Sequence, residues 1–182
     1  MTRIEEELKK RILILDGAMG TMIQRHKLDE NAYRGKEFKD HPSTLKGNND
    51  LLSITQSKII EDIHRAYLEA GADIIETNTF NSTSVSMADY GMQKEVAAIN
   101  RAAAALAKKA AQDFTAKDPA KPRFVAGAIG PTTRTASLSP NVNDAGFRAI
   151  TFDGLVSAYA EQIQALLDGG VALMIAKSSV RE

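Results

Sequence analysis

Residues 12–15 are four branched apolar side chains in succession, Ile12-Leu13-Ile14-Leu15, and they run directly into Asp16-Gly17-Ala18-Met19-Gly20-Thr21. A continuous apolar run closed by Asp-Gly reads as a strand buried on both faces, the pattern of a parallel sheet rather than of a half-exposed antiparallel one. Ligands of parallel α/β proteins sit at the carboxyl ends of the strands. Asp16 and the glycine-flanked backbone after it therefore stand where a site would form. The Asp-Gly pair serves a simple turn equally well, and this segment alone leaves both readings open.

The same grammar recurs downstream. Residues 3–11 have the spacing of a short amphipathic helix, with Ile4 and Leu8 on one face. Residues 22–54 lack sustained periodicity and read as a long excursion, with Leu51-Leu52-Ser53-Ile54 as an apolar anchor back to the core. Thr55 is the predicted cap of a helix carrying Ile59, Ile63, Ala66 and Ala70, which Gly71 stops. A second strand follows at Asp73–Phe80, then a helix at Glu95–Phe114 with Val96, Ile99, Ala103, Leu106, Ala110 and Phe114 as its inner stripe. The third strand is Phe124–Ile129, whose small residues predict close approach of another backbone or a ligand. A helix at Thr151–Asp168, with Leu155, Tyr159, Ile163 and Leu166 on its apolar face, and a fourth strand at Val171–Ile175 complete the series.

The order β, α, β, α, β, α, β makes either an open doubly wound sheet or part of a (βα) barrel. Two features favour the barrel. Gly17 and Gly20 fail the G-x-G-x-x-G spacing, and no Walker-type Gly-Lys-Ser/Thr occurs. Each strand also ends in hydrogen-bonding residues, as though several ends line one pocket. A full barrel needs eight strands and about 250 residues. The expected fold class is therefore α/β of the (βα)8 TIM-barrel type with about its first four βα units present, in one domain over residues 1–182.

Composition narrows the function. The 182 residues carry 23 basic and 23 acidic side chains, and zero net charge removes the electrostatic case for nucleic acid or an anionic membrane surface. No stretch approaches about 18 apolar residues, and the charged amino terminus lacks a signal-peptide core, which predicts a cytoplasmic protein. The absence of cysteine excludes thiolate nucleophiles and Cys-ligated zinc within these residues. His26, His41 and His64 lack i, i+4 ligand spacing, so no metal ligands are assigned. His64 is expected in a surface or packing role.

The candidate site set is Asp16, Glu76, Asn78 and Thr79, each just past a predicted strand, with the backbone of Gly17, Ala18 and Met19. Carboxylates there can hold a ligand ammonium, and backbone N–H groups can hold a carboxylate. An amino acid fits that combination. Loop bracing is the competing role for Glu76 and Asn78. Thr132, Thr133 and Arg134 can meet an anion or form a solvated loop.

Taken in order, Leu15-Asp16-Gly17-Ala18-Met19-Gly20-Thr21, Asn49-Asp50-Leu51-Leu52, Ala70–Asn81, Ser84–Gly91, Gly127–Thr132 and Arg134–Pro140 resemble the homocysteine S-methyltransferase family, most closely the amino-terminal homocysteine-binding barrels of its cobalamin-dependent methionine synthases. The resemblance implies a TIM barrel that binds homocysteine at its carboxyl-end face and holds the sulfur as a thiolate on zinc. That thiolate takes a methyl group from methylcobalamin, itself recharged by 5-methyltetrahydrofolate. By position, Asp16 would take the substrate ammonium, the backbone of Gly17, Ala18 and Met19 would face its carboxylate, and Glu76, Asn78 and Thr79 would line or brace the pocket.

The departures carry equal weight. The family's zinc ligands are three cysteines of the later barrel, and the family follows its fourth strand with an acid and a threonine where this chain has Ala176-Lys177-Ser178-Ser179. Residues 172–182 are read as a divergent end. Neither zinc nor cobalamin is expected to be held by this chain alone, no catalytic residue is assigned, and the isolated chain is expected to be inactive. Implied partners are homocysteine, the remaining half-barrel, the folate and cobalamin domains of a full-length enzyme, and a second copy through open sheet edges. Two alternatives stand: a betaine- or sulfonium-dependent thiol methyltransferase of the same superfamily, and a non-catalytic binding or assembly module.

Overall fold

The computed structural model describes residues 3–177. Their elements are α1 (Arg3–Leu8), α2 (Met19–Gln24), α3 (Glu30–Arg34), α4 (Leu52–Thr55), α5 (Ser57–Glu69), β1 (Ile74–Glu76), α6 (Ser84–Met87), α7 (Val96–Lys117), β2 (Phe124–Ile129), α8 (Phe152–Asp168) and β3 (Leu173–Ala176), with short 3₁₀ turns between some of them. Ser178 and Ser179 of the divergent end lie outside the described residues.

The sheet is parallel, in the order β1-β2-β3, with Ile74 opposite Phe124 and Ala126 opposite Leu173. Leu15 forms a single parallel bridge to Ile74, which β2 occupies from its other side. Spatial order thus follows chain order, without the reversal that creates the crevice of a doubly wound sheet. Alternation along the strands divides the faces. Ile75 and Val125 pack on Ala107, Ala110 and Ala111 of α7, while Met174 and Ile129 pack with Leu166 of α8. Glu76, Ala126 and Ala128 fall on the opposite face.

The first expected strand is corrected by the structure. Residues 12–15 do not form a strand buried on both faces; they contribute one bridge, and Ile12 and Ile14 are 89% and 60% exposed. The packed helices α5, α7 and α8 back β1, β2 and β3, and nothing among the described residues covers Ile12 and Ile14. What holds the segment is polar: Asp73 accepts from the Ile14 N–H at 2.9 Å and pairs with Arg11 at 2.8 Å, and the Asp16 N–H donates to the Ile74 carbonyl at 2.9 Å. The described sheet therefore has three strands and a bridge, not four strands, and its last strand runs over Leu173–Ala176 rather than Val171–Ile175.

Helix boundaries follow local chemistry. Thr151 caps α8 by accepting from the Gly154 N–H at 3.1 Å. Gly71 and Gly170 turn the chain from helix to strand at φ +108° and +81°, a region open to glycine at little cost. Thr55 is not the cap of α5: it ends α4, and Gln56 precedes α5 with its side chain donating to the Ala32 carbonyl at 2.8 Å. α7 lies close to its neighbours because its inner face is alanine; Ala103, Ala104, Ala107, Ala110 and Ala111 are all buried. On α8 the buried residues are Ala158, Gln162, Ala165 and Leu166, so the expected stripe is shifted, with Leu155, Tyr159 and Ile163 half-buried.

The largest apolar cluster lies where the sequence showed no periodicity. Ile23, Tyr33, Leu45, Leu51 and Leu52 of the excursion pack with Ile60 and Ile63 of α5, Met87, Met92, and Val96 and Ile99 of α7. Leu51 and Leu52 are fully buried, as an anchor requires. The excursion is thus a packed layer of short helices beside the sheet, and it borders the strand ends on which the site is built. His64 is in the packing role, fully buried within α5.

Candidate functional site

At the carboxyl ends of the strands lies a cavity of about 340 Å³ lined by Asp16, Gly17, Ala18, Met19, Gly20, Glu76, Thr77, Asn78, Thr79, Phe80, Ala128 and Lys177. All seven candidate site residues border it. A volume of this size is within the range that small-molecule sites occupy.

Two carboxylates set its chemistry. Asp16 Oδ2 accepts from the Glu76 N–H at 3.0 Å, while Asp16 Oδ1 is buried with no hydrogen-bond partner among the described residues. Glu76 Oε2 pairs with Lys177 Nζ at 2.5 Å, and Glu76 Oε1 is likewise buried and unpartnered. Burial pushes the Asp16 carboxyl up to about 7, helped by the nearby Glu76 charge and opposed by the Glu76 N–H and by Lys177. Buried oxygens of this kind are costly unless a donor arrives. Two such carboxylates lining one cavity therefore favour a ligand with several N–H donors and a positive charge.

Asn78 and Thr79 border the cavity but spend their side chains on bracing. Asn78 Nδ2 donates to the Asn49 carbonyl at 2.8 Å and to Ser53 Oγ at 3.2 Å, tying the end of β1 to the excursion. Thr79 Oγ1 donates to the Ala128 carbonyl at 2.8 Å, and Thr77 Oγ1 accepts from the Ala128 N–H at 3.0 Å, which locks the end of β1 to β2. Gln162 of α8 adds a bond to the Thr79 carbonyl at 2.7 Å. These bonds hold Glu76 on a rigid strand end, the support that a precise binding group needs.

The Asp16 loop is held separately. Tyr67 of α5 donates to the Ala18 carbonyl at 3.3 Å, and its ring leaves so little space at Gly17 that a Cβ there would sit 3.2 Å from the hydroxyl. Met19 opens α2 and packs against the main apolar cluster. Behind the site, Asp50 is buried and accepts from the Asn81 N–H at 2.7 Å and Ser82 Oγ at 3.1 Å. Burial raises its carboxyl to about 7.

Sequence reasoning missed Lys177, Tyr67 and Asp50. Lys177 was legible by the rule that selects Asp16 and Glu76, since it directly follows a strand. Asp50 and Tyr67 had no such signal, because one lies in the aperiodic excursion and the other on a helix.

The chain contains no cysteine, and no group of three or more His, Cys, Asp or Glu side chains among the described residues could hold a metal ion. The three-cysteine donor set that the family resemblance implies for zinc therefore has no counterpart in this sequence. No helix among the described residues is long and apolar enough to cross a membrane.

The fold is similar to that of the homocysteine methyltransferase MmuM from Escherichia coli. The metallated form superimposes with a TM-score of 0.71 at 22% identity over 97% of this chain and 57% of that one. The oxidized form gives 0.69 at 22% identity over 96% and 56%. This chain therefore spans a little over half the length of the MmuM structures it matches. A family model for homocysteine S-methyltransferase matches residues 13–180, nearly the whole sequence. The chain belongs to the homocysteine S-methyltransferase family.

Proposed function

We propose that this chain is the amino-acid-binding part of a cytoplasmic methionine synthase: a sector of a (βα)8 barrel whose strand ends hold homocysteine while its thiol is methylated from methylcobalamin, recharged by 5-methyltetrahydrofolate. The observation that supports the amino-acid part of this reading is that the carboxylates of Asp16 and Glu76 line one cavity in a member of this family, each with a second, buried oxygen that has no partner among the described residues. An α-ammonium group offers three N–H donors and a positive charge to those carboxylates. The backbone of Gly17, Ala18 and Met19 lines the same cavity, and in this reading it contributes to holding the substrate carboxylate.

The chain's own residues bind and orient. Thiol activation is not among their tasks, because no cysteine is present to supply a thiolate donor set. The 182-residue chain therefore binds homocysteine without methylating it, as a binding module would.

Calorimetry tests this directly. L-homocysteine binds the purified chain, and Asp16→Asn weakens that binding by about tenfold, the scale of one charge-assisted hydrogen bond. Supplying methylcobalamin and zinc yields no methionine. Undetectable binding contradicts the reading of the cavity; detectable methionine contradicts the inactivity of the chain.

A further inference from the structure

Lys177 is the one cationic side chain among the described residues that line the cavity. Its backbone N–H donates to the Ile129 carbonyl at 2.8 Å, extending the pairing of β3 with β2 by one residue and fixing where the side chain starts. Its ammonium lies 2.5 Å from Glu76 Oε2. That contact engages one of its three N–H donors. The side chain is 44% exposed, so the remaining donors are not spent on a packed interior.

The contact admits two roles, which the cavity separates. A lysine that plugged the carboxylates would fill the space a ligand ammonium needs. Here about 340 Å³ stays open with Lys177 in place, and Asp16 Oδ1 and Glu76 Oε1 stay unpartnered. Two carboxylates, Asp16 and Glu76, and one ammonium, Lys177, thus stand on the same wall. Two carboxylates beside one ammonium form the complement of a zwitterion, not of a simple amine.

We propose that Lys177 is a specificity-determining residue that anchors the α-carboxylate of the ligand, so that the cavity selects zwitterionic α-amino acids over the corresponding amines. The inference rests on the amino-acid reading of the cavity given above. Glu76 positions the lysine through Oε2, and its carboxylate also attracts the ligand ammonium, which links the two halves of the zwitterion through one side chain.

The test compares L-homocysteine with 3-aminopropane-1-thiol, which keeps the amine and thiol but lacks the carboxylate, by calorimetry on the full chain and its Lys177→Met and Lys177→Arg variants. Thermal melts verify that each variant is folded. Wild type prefers L-homocysteine. Lys177→Met weakens L-homocysteine by about tenfold or more and does not weaken the amine, while Lys177→Arg retains most of the preference. Equal or tighter L-homocysteine binding by Lys177→Met, or equal loss for both ligands, overturns the role of Lys177 and leaves the cavity reading standing. Wild-type protein that binds neither compound overturns both.

Discussion

At the scale of single residues, the molecule's unusual feature is ionisable groups buried without matching charge. Asp50 and Asp16 have carboxyls raised to about 7 by burial, and His64 is lowered to about 4 by burial. The signs oppose each other. A carboxyl at about 7 in the fold and about 3.9 in the unfolded chain binds more protons when folded, so stability falls as pH rises between those values. A histidine at about 4 in the fold and about 6.5 unfolded does the reverse, and stability falls as pH drops through that window. Asp50→Asn keeps the shape and one acceptor oxygen while removing the charge. It is therefore more stable relative to wild type at pH 8 than at pH 5 in urea titrations. Asp50→Ala strands the Asn81 N–H and Ser82 hydroxyl and costs about 1–3 kcal/mol at pH 5, a cost that shrinks toward pH 8 by the same amount as for Asp50→Asn, because it removes the same titrating group. A pH-independent difference for Asp50→Asn would contradict the assignment of a buried, near-neutral carboxyl.

At the scale of elements, close approach rather than hydrophobic mass shapes the strand ends. Gly127 faces Met174 and Leu166, and a Cβ there would lie 2.6 Å from Met174 Sδ. At Gly130 a Cβ would collide with the backbone carbonyl of Phe80, the same carbonyl that accepts the Gly130 N–H at 3.1 Å. A flexible methionine can yield, but a strand-end carbonyl in the site loop cannot. Gly127→Ala therefore costs about 1–3 kcal/mol. Gly130→Ala costs more and also disturbs the cavity wall, measured as a lower midpoint in denaturant with weaker homocysteine binding. Equal, negligible effects of the two would contradict this packing.

The small residues of β2 announced that approach in the sequence, as did the helix-to-strand glycines Gly71 and Gly170. Other elements were less legible, for physical reasons. The run at 12–15 predicts a doubly buried strand because apolar residues signal preference for an interior, not whether one is present; its single bridge depends on Asp73 and Arg11, which lie far apart in sequence. The excursion hid its core because five- and six-residue helices are too short to develop periodicity. Asp16 and Glu76 were visible from their place after apolar runs. The bracing of Asn78 by Asn49 and Ser53 was not, since it is a contact between distant segments.

At the scale of the molecule, these choices combine into a half-open architecture. Helices back one face of a parallel sheet, the excursion packs beside its carboxyl end, and a polar cavity forms where three strand ends and the Asp16 loop meet. Ile12 and Ile14 remain exposed at one side of the sheet and β3 forms its other edge among the described residues. In the proposed reading those are the sides on which further strands of a barrel would pair. In that same reading the amino-acid end of the site is assembled from residues already in place, held by Asn78, Thr79 and Tyr67. Binding should therefore need little rearrangement elsewhere.

The most direct test is a titration of isotopically labelled protein with L-homocysteine, followed residue by residue through backbone amide NMR shifts. Saturable changes concentrated at Asp16–Met19, Glu76–Thr79 and Lys177 are predicted. No saturable change at these positions, or changes confined to another surface, would contradict the assignment of this cavity as the homocysteine site.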